Sequence, residues 1–175
     1  MKDEFPRHFF ILPVILLGLI LGTVIKLFVI DILLVSGKSM FPAIKDGERI
    51  LVNRLSYGIA KPFGDKLSVQ WGEPERGDVV IYLYNDKIVV KRCVAVGGDS
   101  LFAQKLDYSQ DFQYTLSVES LEIPLTEVQY LSFREIDSVP AGYILAVGDN
   151  YEESVDSRAY GFVSVQNVLG RVIGK

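Results

Sequence analysis

The chain has 175 residues, which at about 100–200 residues per domain predicts one folded domain and little else. Its 18 Lys and Arg against 22 Asp and Glu give a net charge of −4, so we expect no nucleic-acid partner. One cysteine excludes an intrachain disulfide and a Cys-rich zinc site, and one histidine excludes a cluster of imidazole ligands. We therefore expect no metal and no cofactor, and acid–base chemistry that uses Lys, Tyr or carboxylates.

An apolar segment near the N-terminus predicts a transmembrane helix. Residues 9–30 carry one charge, Lys26, and their 22 residues span roughly 33 Å at about 1.5 Å per residue. The hydrocarbon core of a bilayer is about 30 Å thick, so the segment is long enough to cross it. The alternative is a cleaved secretory signal peptide, whose apolar stretch is usually only about 7–15 residues. We expect a permanent anchor at 9–30 that contacts membrane lipid, preceded by a short head at 1–8.

After the anchor, short apolar runs alternate with Gly, Pro, Asp and Asn, which is typical of strands and turns. No window outside the anchor has sustained helical periodicity. Asn85-Asp86-Lys87, between two apolar runs, predicts a hairpin turn. We expect one mostly-β domain over residues 36–175, with strands at or near its start and within it at Ile32–Val35, Arg49–Asn53, Asp78–Leu83, Ile88–Val96, Leu116–Val118, Tyr143–Val147 and Val168–Ile173.

A serine in a constrained turn follows the first predicted strand. In Ser36-Gly37-Lys38-Ser39-Met40-Phe41-Pro42, the glycine permits close backbone approach and Pro42 restricts the chain. Ser39 presented in this way is a candidate nucleophile whose own backbone N–H points at a developing oxyanion. The alternative is that the segment is only a turn.

A serine nucleophile needs a base, and without a suitable histidine the candidate is a neutral lysine. A free lysine has a pKa near 10.4, which burial in an apolar pocket must lower to about 7.5 for use near neutral pH. Lys91 stands in the middle of the apolar run 88–96, where alternation places it on one face with Val89 and Cys93. If that face is internal, Lys91 is desolvated; if it is external, Lys91 is an ordinary surface charge.

A dense polar segment, residues 148–161, follows the predicted strand Tyr143–Val147. Most of its side chains are charged or carry hydroxyl or amide groups, which predicts a structured loop with many internal hydrogen bonds. Asp156 and Arg158 are close enough in sequence to pair, with Ser154 nearby. The alternative is a solvated loop without a function.

Five short motifs follow one another behind the predicted span. They are Ser39-Met40-x-Pro42 with Gly47 and Leu51-Val52, Tyr57-Gly58, Arg76-Gly77-Asp78-Val79-Val80, Lys91-Arg92 with Gly98-Asp99, and Gly148-Asp149-Asn150 through Ser154-x-Asp156-Ser157-Arg158-x-x-Gly161. In this order they resemble the type I signal peptidases of the single-span type. These are membrane-anchored Ser-Lys proteases that remove signal peptides from exported proteins.

The resemblance implies a signal-peptidase-like β catalytic domain and a role for each motif residue. Ser39 is then the nucleophile and Lys91 the general base, acting through an acyl-enzyme that water hydrolyses. Ser154 matches the hydroxyl that orients the lysine amine. Asp156 and Arg158 match an ion pair that supports the wall of the active site, and the backbone N–H of Ser39 belongs to the oxyanion site.

One position departs from the pattern of many family members. They carry a serine two residues before the nucleophile, whose hydroxyl helps to bind the oxyanion, whereas this chain has Gly37 there. Ser36 is one residue too early to replace it directly. Backbone N–H groups, alone or with a water, would then stabilise the oxyanion.

The resemblance also implies a substrate and a location. Family members accept small side chains, typically Ala, one and three residues before the cut and bind the peptide as an added strand. The implied partners are signal peptides of secreted preproteins and, transiently, the export machinery. The implied site is a cytoplasmic or equivalent membrane, with a cytoplasmic N-terminus and an extracytoplasmic catalytic domain. The positions that match the substrate pockets, with plain core packing as the alternative, are Val35, Met40, Ile44, Val89 and Val90.

Two other functions stay open on the sequence alone. A self-cleaving repressor-type Ser-Lys peptidase shares the Ser-Met and Lys pair, but it needs a DNA-binding module where this chain has a membrane span. A non-enzymatic anchored β-domain would carry Ser39 and Lys91 as remnants, although the intact segment from Ser154 to Arg158 argues against decay.

Three further features have no assigned role in catalysis. Residues 101–139 match no motif and are interpreted as a β-rich insertion of unknown purpose. Cys93 is predicted to pack inertly, the alternative being a target for thiol reagents. Phe63 and Trp71 are predicted either to touch lipid headgroups or to pack in the core.

Overall fold

A computed structural model describes residues 8–61, 64–106 and 113–175. Its first element is a long helix, α1 (His8–Phe28). The described chain buries no part of the segment Ile11–Phe28 of this helix. The helix is long and apolar enough to cross a membrane. It ends before residue 30, where the first strand already begins. The predicted head at 1–8 lies, apart from residue 8, outside the described residues.

The rest of the described chain is mostly β, as predicted. Its strands outside the insertion are β1 (Ile30–Leu34), β2 (Arg49–Asn53), β3 (Gly58–Ala60), β4 (Leu67–Gln70), β5 (Val79–Tyr84), β6 (Lys87–Val96), β10 (Tyr143–Val147), β11 (Val163–Ser164) and β12 (Val168–Gly174). Seven of them form an antiparallel sheet in the order β1-β2-β12-β5-β6-β10-β11. The other two, β3 and β4, form a separate hairpin.

The predicted strands are all present, with no boundary displaced by more than two residues. The predicted hairpin turn is confirmed between β5 and β6, where Asn85 and Asp86 both have positive φ angles, 50° and 59°. That conformation matches the right-handed twist of the two strands. Five short strands were not predicted, because they offer few consecutive apolar residues. They are β3, β4 and β11, and two strands of the insertion, β7 (Phe102–Lys105) and β9 (Leu121–Leu125).

The segment 101–139 folds onto the main sheet as a small β-rich unit, as predicted. Its strands β7 (Phe102–Lys105), β8 (Tyr114–Val118) and β9 (Leu121–Leu125) form an antiparallel sheet of three. A short helix that the sequence analysis did not predict, α2 (Glu127–Phe133), follows β9. A reciprocal capping box between Thr126 and Gln129 satisfies its first backbone N–H groups. Tyr130 of this helix stacks on Tyr114, with ring centroids 4.8 Å apart.

Two incomplete pairings leave strand edges free near the start of the domain. Among the residues that the structure describes, β1 is the last strand of its sheet and pairs only with β2. In the same part of the chain, β10 covers only the second half of β6, from Arg92 to Val96, so the half from Lys87 to Lys91 pairs with β5 alone. Both free edges border the same cleft, and the candidate site lies there.

Candidate active site

A cleft of about 360 Å³ lies between the edge of β1 and the first half of β6, which β10 leaves uncovered. We call it the Ser-Lys cleft. Its walls come from the end of β1, from the turn that follows it and from the first half of β6. They consist of Leu33, Leu34, Val35, Ser36, Ser39, Met40 and residues 87–91.

Ser39 and Lys91 meet at one end of this cleft. The Lys91 Nζ lies 2.8 Å from the Ser39 Oγ, although the two residues are 52 positions apart in the sequence. Lys91 is only 4% exposed, and the burial alternates along β6 so that Lys91, Cys93 and Ala95 all face inward. Of the two alternatives left open for this face of the strand, the structure shows the internal one.

Burial decides the protonation of Lys91. Removing the amine from water lowers its pKa from the ordinary value, because the charged form loses its hydration. The Asp156 carboxylate acts in the opposite direction, and the Arg158 guanidinium adds to the lowering. A lysine with a lowered pKa has a lone pair that can accept the proton of a neighbouring hydroxyl at a pH closer to neutrality.

The turn that carries Ser39 is held by the polar loop 148–161. The backbone N–H of Asn150 donates to the Ser39 carbonyl at 3.0 Å, and the Asn150 side-chain amide donates to the Lys38 carbonyl at 3.2 Å. The Gly37 N–H donates to Asp46 Oδ1 at 2.8 Å. Within the described chain, the Ser39 N–H donates no hydrogen bond to another main-chain group.

Gly37 stands where the resemblance implies a serine in many family members. Its φ is 101°, a value that side-chain-bearing residues rarely adopt. A serine at this position is strained in the present backbone, and Ser36 instead lies at the wall of the Ser-Lys cleft.

Asp156 and Arg158 form the predicted ion pair, and both are buried, at 0% and 4% exposure. The guanidinium reaches the carboxylate through Nε and Nη2, both at 2.9 Å. Burial by itself raises the pKa of Asp156, but the donors of Arg158, the nearby Ser154 hydroxyl and the N–H of Gly148 hold it below its ordinary value. Arg158 also donates to the carbonyls of Pro124 at 3.1 Å and Tyr151 at 2.9 Å, which ties the insertion to the loop. The solvated-loop alternative is wrong.

Ser154 lies beside Gly148, next to the Ser39 carbonyl. Its Oγ is buried and has no hydrogen-bond partner among the described residues. Gly148 separates it from Ser39: an added Cβ there would stand 2.2 Å from the Ser154 Oγ and 2.5 Å from the Ser39 carbonyl oxygen. The predicted hydroxyl is thus close to the nucleophile's backbone, and its bond to the Lys91 amine is not formed in this structure.

Four of the five predicted pocket residues line the Ser-Lys cleft: Val35, Met40, Val89 and Val90. Ile44 does not line it. Ile44 is 4% exposed and packs in a buried cluster with Val35 and Met40, so it supports the cleft wall from behind.

Sequence reasoning missed the positioning role of four residues: Gly148, Asn150, Arg92 and Asp149. The Arg92 guanidinium reaches the Asp149 carboxylate at 2.8 Å and 2.7 Å. Arg92 follows Lys91 directly, so this pair fastens β6 to the loop that holds Ser39. The only sequence signal was their presence in the motifs, because their contacts join segments more than 50 residues apart.

The profile of the family described as "Signal peptidase, peptidase S26" matches residues 8–174. The chain belongs to this family. It is 30% identical to signal peptidase I of Pseudomonas fluorescens over 96% of this chain and 70% of the relative. It is also 30% identical to signal peptidase I of Bacillus caldolyticus over 85% and 80% of the two chains. The predicted resemblance is confirmed, and the protein is a serine peptidase of the signal peptidase I type.

A crystal structure of a signal peptidase I from Enterococcus faecalis V583 is also similar. It covers 58% of this chain and 97% of its own, with 23% sequence identity and a TM-score of 0.39. Membership of the S26 family, together with the N-terminal apolar helix, fits a membrane-anchored enzyme. The two other functions left open by the sequence, a repressor-type peptidase and a non-enzymatic β-domain, are set aside by that membership.

The structure tests two predictions about residues with no assigned role in catalysis, Cys93 and Trp71. Cys93 is fully buried, and burial raises the pKa of its thiol to about 12, which supports inert packing. Trp71 is 54% exposed and its indole N–H donates to the Leu55 carbonyl at 3.0 Å, so the core alternative is wrong for this residue. Its contact with lipid stays a prediction, and Phe63 lies outside the described residues.

We expect Gly148→Ala to lower the cleavage rate of this S26 peptidase by about 100-fold, because a displacement near 1 Å at a reacting group can cost that much. The new Cβ has no space beside the Ser39 carbonyl and the Ser154 Oγ, so one of them must move. The measurement is kcat/KM on a preprotein. Gly174→Ala is the matched control, since its Cβ meets only Leu51 at an ordinary 3.9 Å. Equal activity of both variants would contradict the prediction.

Proposed function

We propose that this protein removes signal peptides from exported preproteins by a Ser39–Lys91 dyad. The observation that carries the proposal is the 2.8 Å distance between the Lys91 Nζ and the Ser39 Oγ, at a lysine that is almost fully buried. A hydrogen-bonded nucleophile and base at this separation is the arrangement that nucleophilic catalysis requires. Membership of the signal peptidase family supports the same substrate class.

In the proposed reaction, neutral Lys91 accepts the proton of the Ser39 hydroxyl as its oxygen attacks the scissile carbonyl. The backbone N–H of Ser39 stabilises the oxyanion of the tetrahedral intermediate. Lys91 then gives its proton to the leaving amine, which departs as the N-terminus of the mature chain and leaves an acyl-enzyme. A water molecule, deprotonated by the same lysine, hydrolyses the ester and releases the signal peptide.

The proposed roles of the supporting residues follow from their places around the dyad. Ser154 orients the lysine amine once substrate is bound, since its buried Oγ has unused hydrogen-bonding capacity. Asp156 and Arg158 keep the wall beside it rigid. We propose no metal and no cofactor, because the serine and the lysine together supply the nucleophile and the proton transfers.

The substrate is proposed to bind as an added strand in the Ser-Lys cleft. The free edges of β1 and of Lys87–Lys91 border that cleft and offer unpaired backbone groups to an extended peptide. Val35, Met40, Val89 and Val90 leave room for small side chains, which supports cleavage after Ala-x-Ala-like sequences. Because β1 begins two residues after α1 ends, the cleft starts close to the membrane. We propose that the N-terminus is cytoplasmic and that the domain 36–175 lies on the extracytoplasmic side.

We expect the cleavage rate to decrease as the pH is lowered, because Lys91 becomes protonated. Its pKa is lowered by burial, so the neutral, active amine is present above that lowered pKa and is lost as the pH falls through it. A pH profile of kcat/KM on a preprotein measures the inflection. It should lie well below the value of a free lysine, about 10.4. Activity that stays constant down to pH 5 would contradict a lysine base.

A further inference from the structure

A second, larger groove of about 790 Å³ adjoins the turn that carries Ser39, since Phe41 and Pro42 of that turn line it. We call it the Phe41 groove. Phe41 and Pro42 form one wall, Asp149–Glu152 a second, and the insertion supplies the third. The insertion residues are Pro124, Leu125, Thr126 and Gln129, and Ser154 and Arg158 complete the lining.

The two depressions meet at the nucleophile. Ser39 and Met40 line the Ser-Lys cleft, and the next two residues, Phe41 and Pro42, line the Phe41 groove. A polypeptide whose residues before the cut occupy the Ser-Lys cleft has to pass Ser39 and leave on the far side. The Phe41 groove begins at the two residues that follow Met40, and residues of the insertion form one of its walls.

The lining of the groove has unused binding groups. Phe41 is 50% exposed although it is a large apolar side chain next to the reaction centre. Asp149 is neutralised by Arg92, and Arg158 by Asp156. Among the charged residues that line the groove within the described chain, only Glu152 forms no ion pair, and it is exposed.

We propose that the Phe41 groove binds the first residues of the mature protein, after the scissile bond, with Phe41 contacting apolar side chains and Glu152 favouring basic over acidic ones. The insertion 101–139, which had no assigned purpose, thereby contributes to substrate selection. This proposal rests on the proposed function, because Ser39 has to be the point at which the substrate is cut.

The test compares substrates that differ only after the cut. Preprotein-derived peptides with a constant signal sequence carry either Lys or Glu at one of the second to fourth mature positions. We expect the wild-type kcat/KM to be higher for Lys than for Glu at one of these positions or more, by about two- to fivefold, as an exposed charge pair contributes. In Glu152→Gln the preference should disappear, and in Glu152→Lys it should reverse.

Glu153→Gln is the matched control, because Glu153 is adjacent and exposed but does not line the groove. If Glu153→Gln lost the preference to the same extent, the assignment to Glu152 would be overturned. The preference would then come from the total negative charge of the loop and not from one residue in the groove. A wild-type ratio of one at all three positions would overturn the groove proposal while cleavage itself continues. Cleavage that persists in Ser39→Ala would instead contradict the proposed function, so the two failures are distinguishable.

Discussion

Replacing Lys91 by methionine is expected to lower preprotein cleavage by at least about 100-fold and by up to about 10⁴-fold, the range that a positioned general base contributes. Methionine keeps most of the volume and the apolar stem, but its thioether does not accept the Ser39 proton. Lys91→Arg should be equally inactive, because a guanidinium stays protonated in proteins. The measurement is the initial rate of mature protein release in detergent or vesicles, with Ser39→Ala as the inactive reference.

A stability measurement shows whether Lys91→Met loses activity because the base is missing or because the protein does not fold. The buried amine has a lowered pKa, so the unfolded chain binds more protons than the folded one as the pH falls below the ordinary lysine pKa. Lys91 therefore costs stability at neutral pH, and Lys91→Met should unfold at the same urea concentration as wild type or at a higher one. Lys66→Met removes an exposed lysine away from the cleft and should keep full activity. Strong cleavage by Lys91→Met would remove the proposed mechanism.

A change in the substrate checks that the cleavage measured is specific. Replacing a small residue immediately before the cut by Trp should prevent cleavage by wild type. Met40 and Val90 line the same cleft as Ser39, and we expect their side chains to clash with a bulky indole. Cleavage of the Trp substrate at the same rate would indicate that the Ser-Lys cleft does not select small side chains.

The chemistry of the dyad could be predicted because the residue types and the apolar pattern around Lys91 indicate a buried lysine. Lys91 is the one lysine inside a long apolar strand-like run, and alternation alone placed it on the inner face. The distance to Ser39 was not predictable from alternation, since it depends on how β6 and β1 face each other across a curved sheet. Only the family resemblance indicated from the sequence that the two residues lie close together.

The support around the dyad was less accessible to sequence reasoning for a physical reason. Gly148 and Asn150 act through backbone contacts with Ser39, and such contacts leave no periodic or compositional signal. Ile44 was placed at the pocket because its motif position suggested it, whereas the chain turns it into the core behind Met40. Apolar residue type does not distinguish a pocket wall from the layer that supports it.

The missed helix α2 had a readable signal. Thr126-Glu127-Val128-Gln129 has the spacing of a capping box, and the helix that follows is only seven residues long. A helix of this length has only about two turns, so its apolar residues do not repeat often enough to indicate a helix by periodicity. Its stability comes from packing, with Phe133 buried against Leu145 and its neighbours in one cluster.

Replacing Asp156 by asparagine is expected to lower the free energy of unfolding by about 3–5 kcal/mol, the cost of breaking a buried ion pair. Arg158 stays buried at 4% exposure, and its charge loses the only carboxylate that it contacts in the described chain. Because the fold lowers the pKa of Asp156, its stabilisation is present above the unfolded pKa of about 3.9 and is lost as the pH falls through the folded value. Urea unfolding of the full chain at neutral and acidic pH measures both effects.

The matched control is Glu135→Gln, which removes an ion pair on the surface. Glu135 is 80% exposed and pairs with Arg134 at 3.1 Å, so solvent already screens both charges and no measurable change in stability is expected. The destabilisation by Asp156→Asn should shrink as the pH falls, because protonation of the wild-type carboxyl produces the same unpaired guanidinium. A destabilisation that is independent of pH would mean that Asp156 acts through shape and hydrogen bonds alone. In that case the rigid wall beside Ser154 would not depend on its charge.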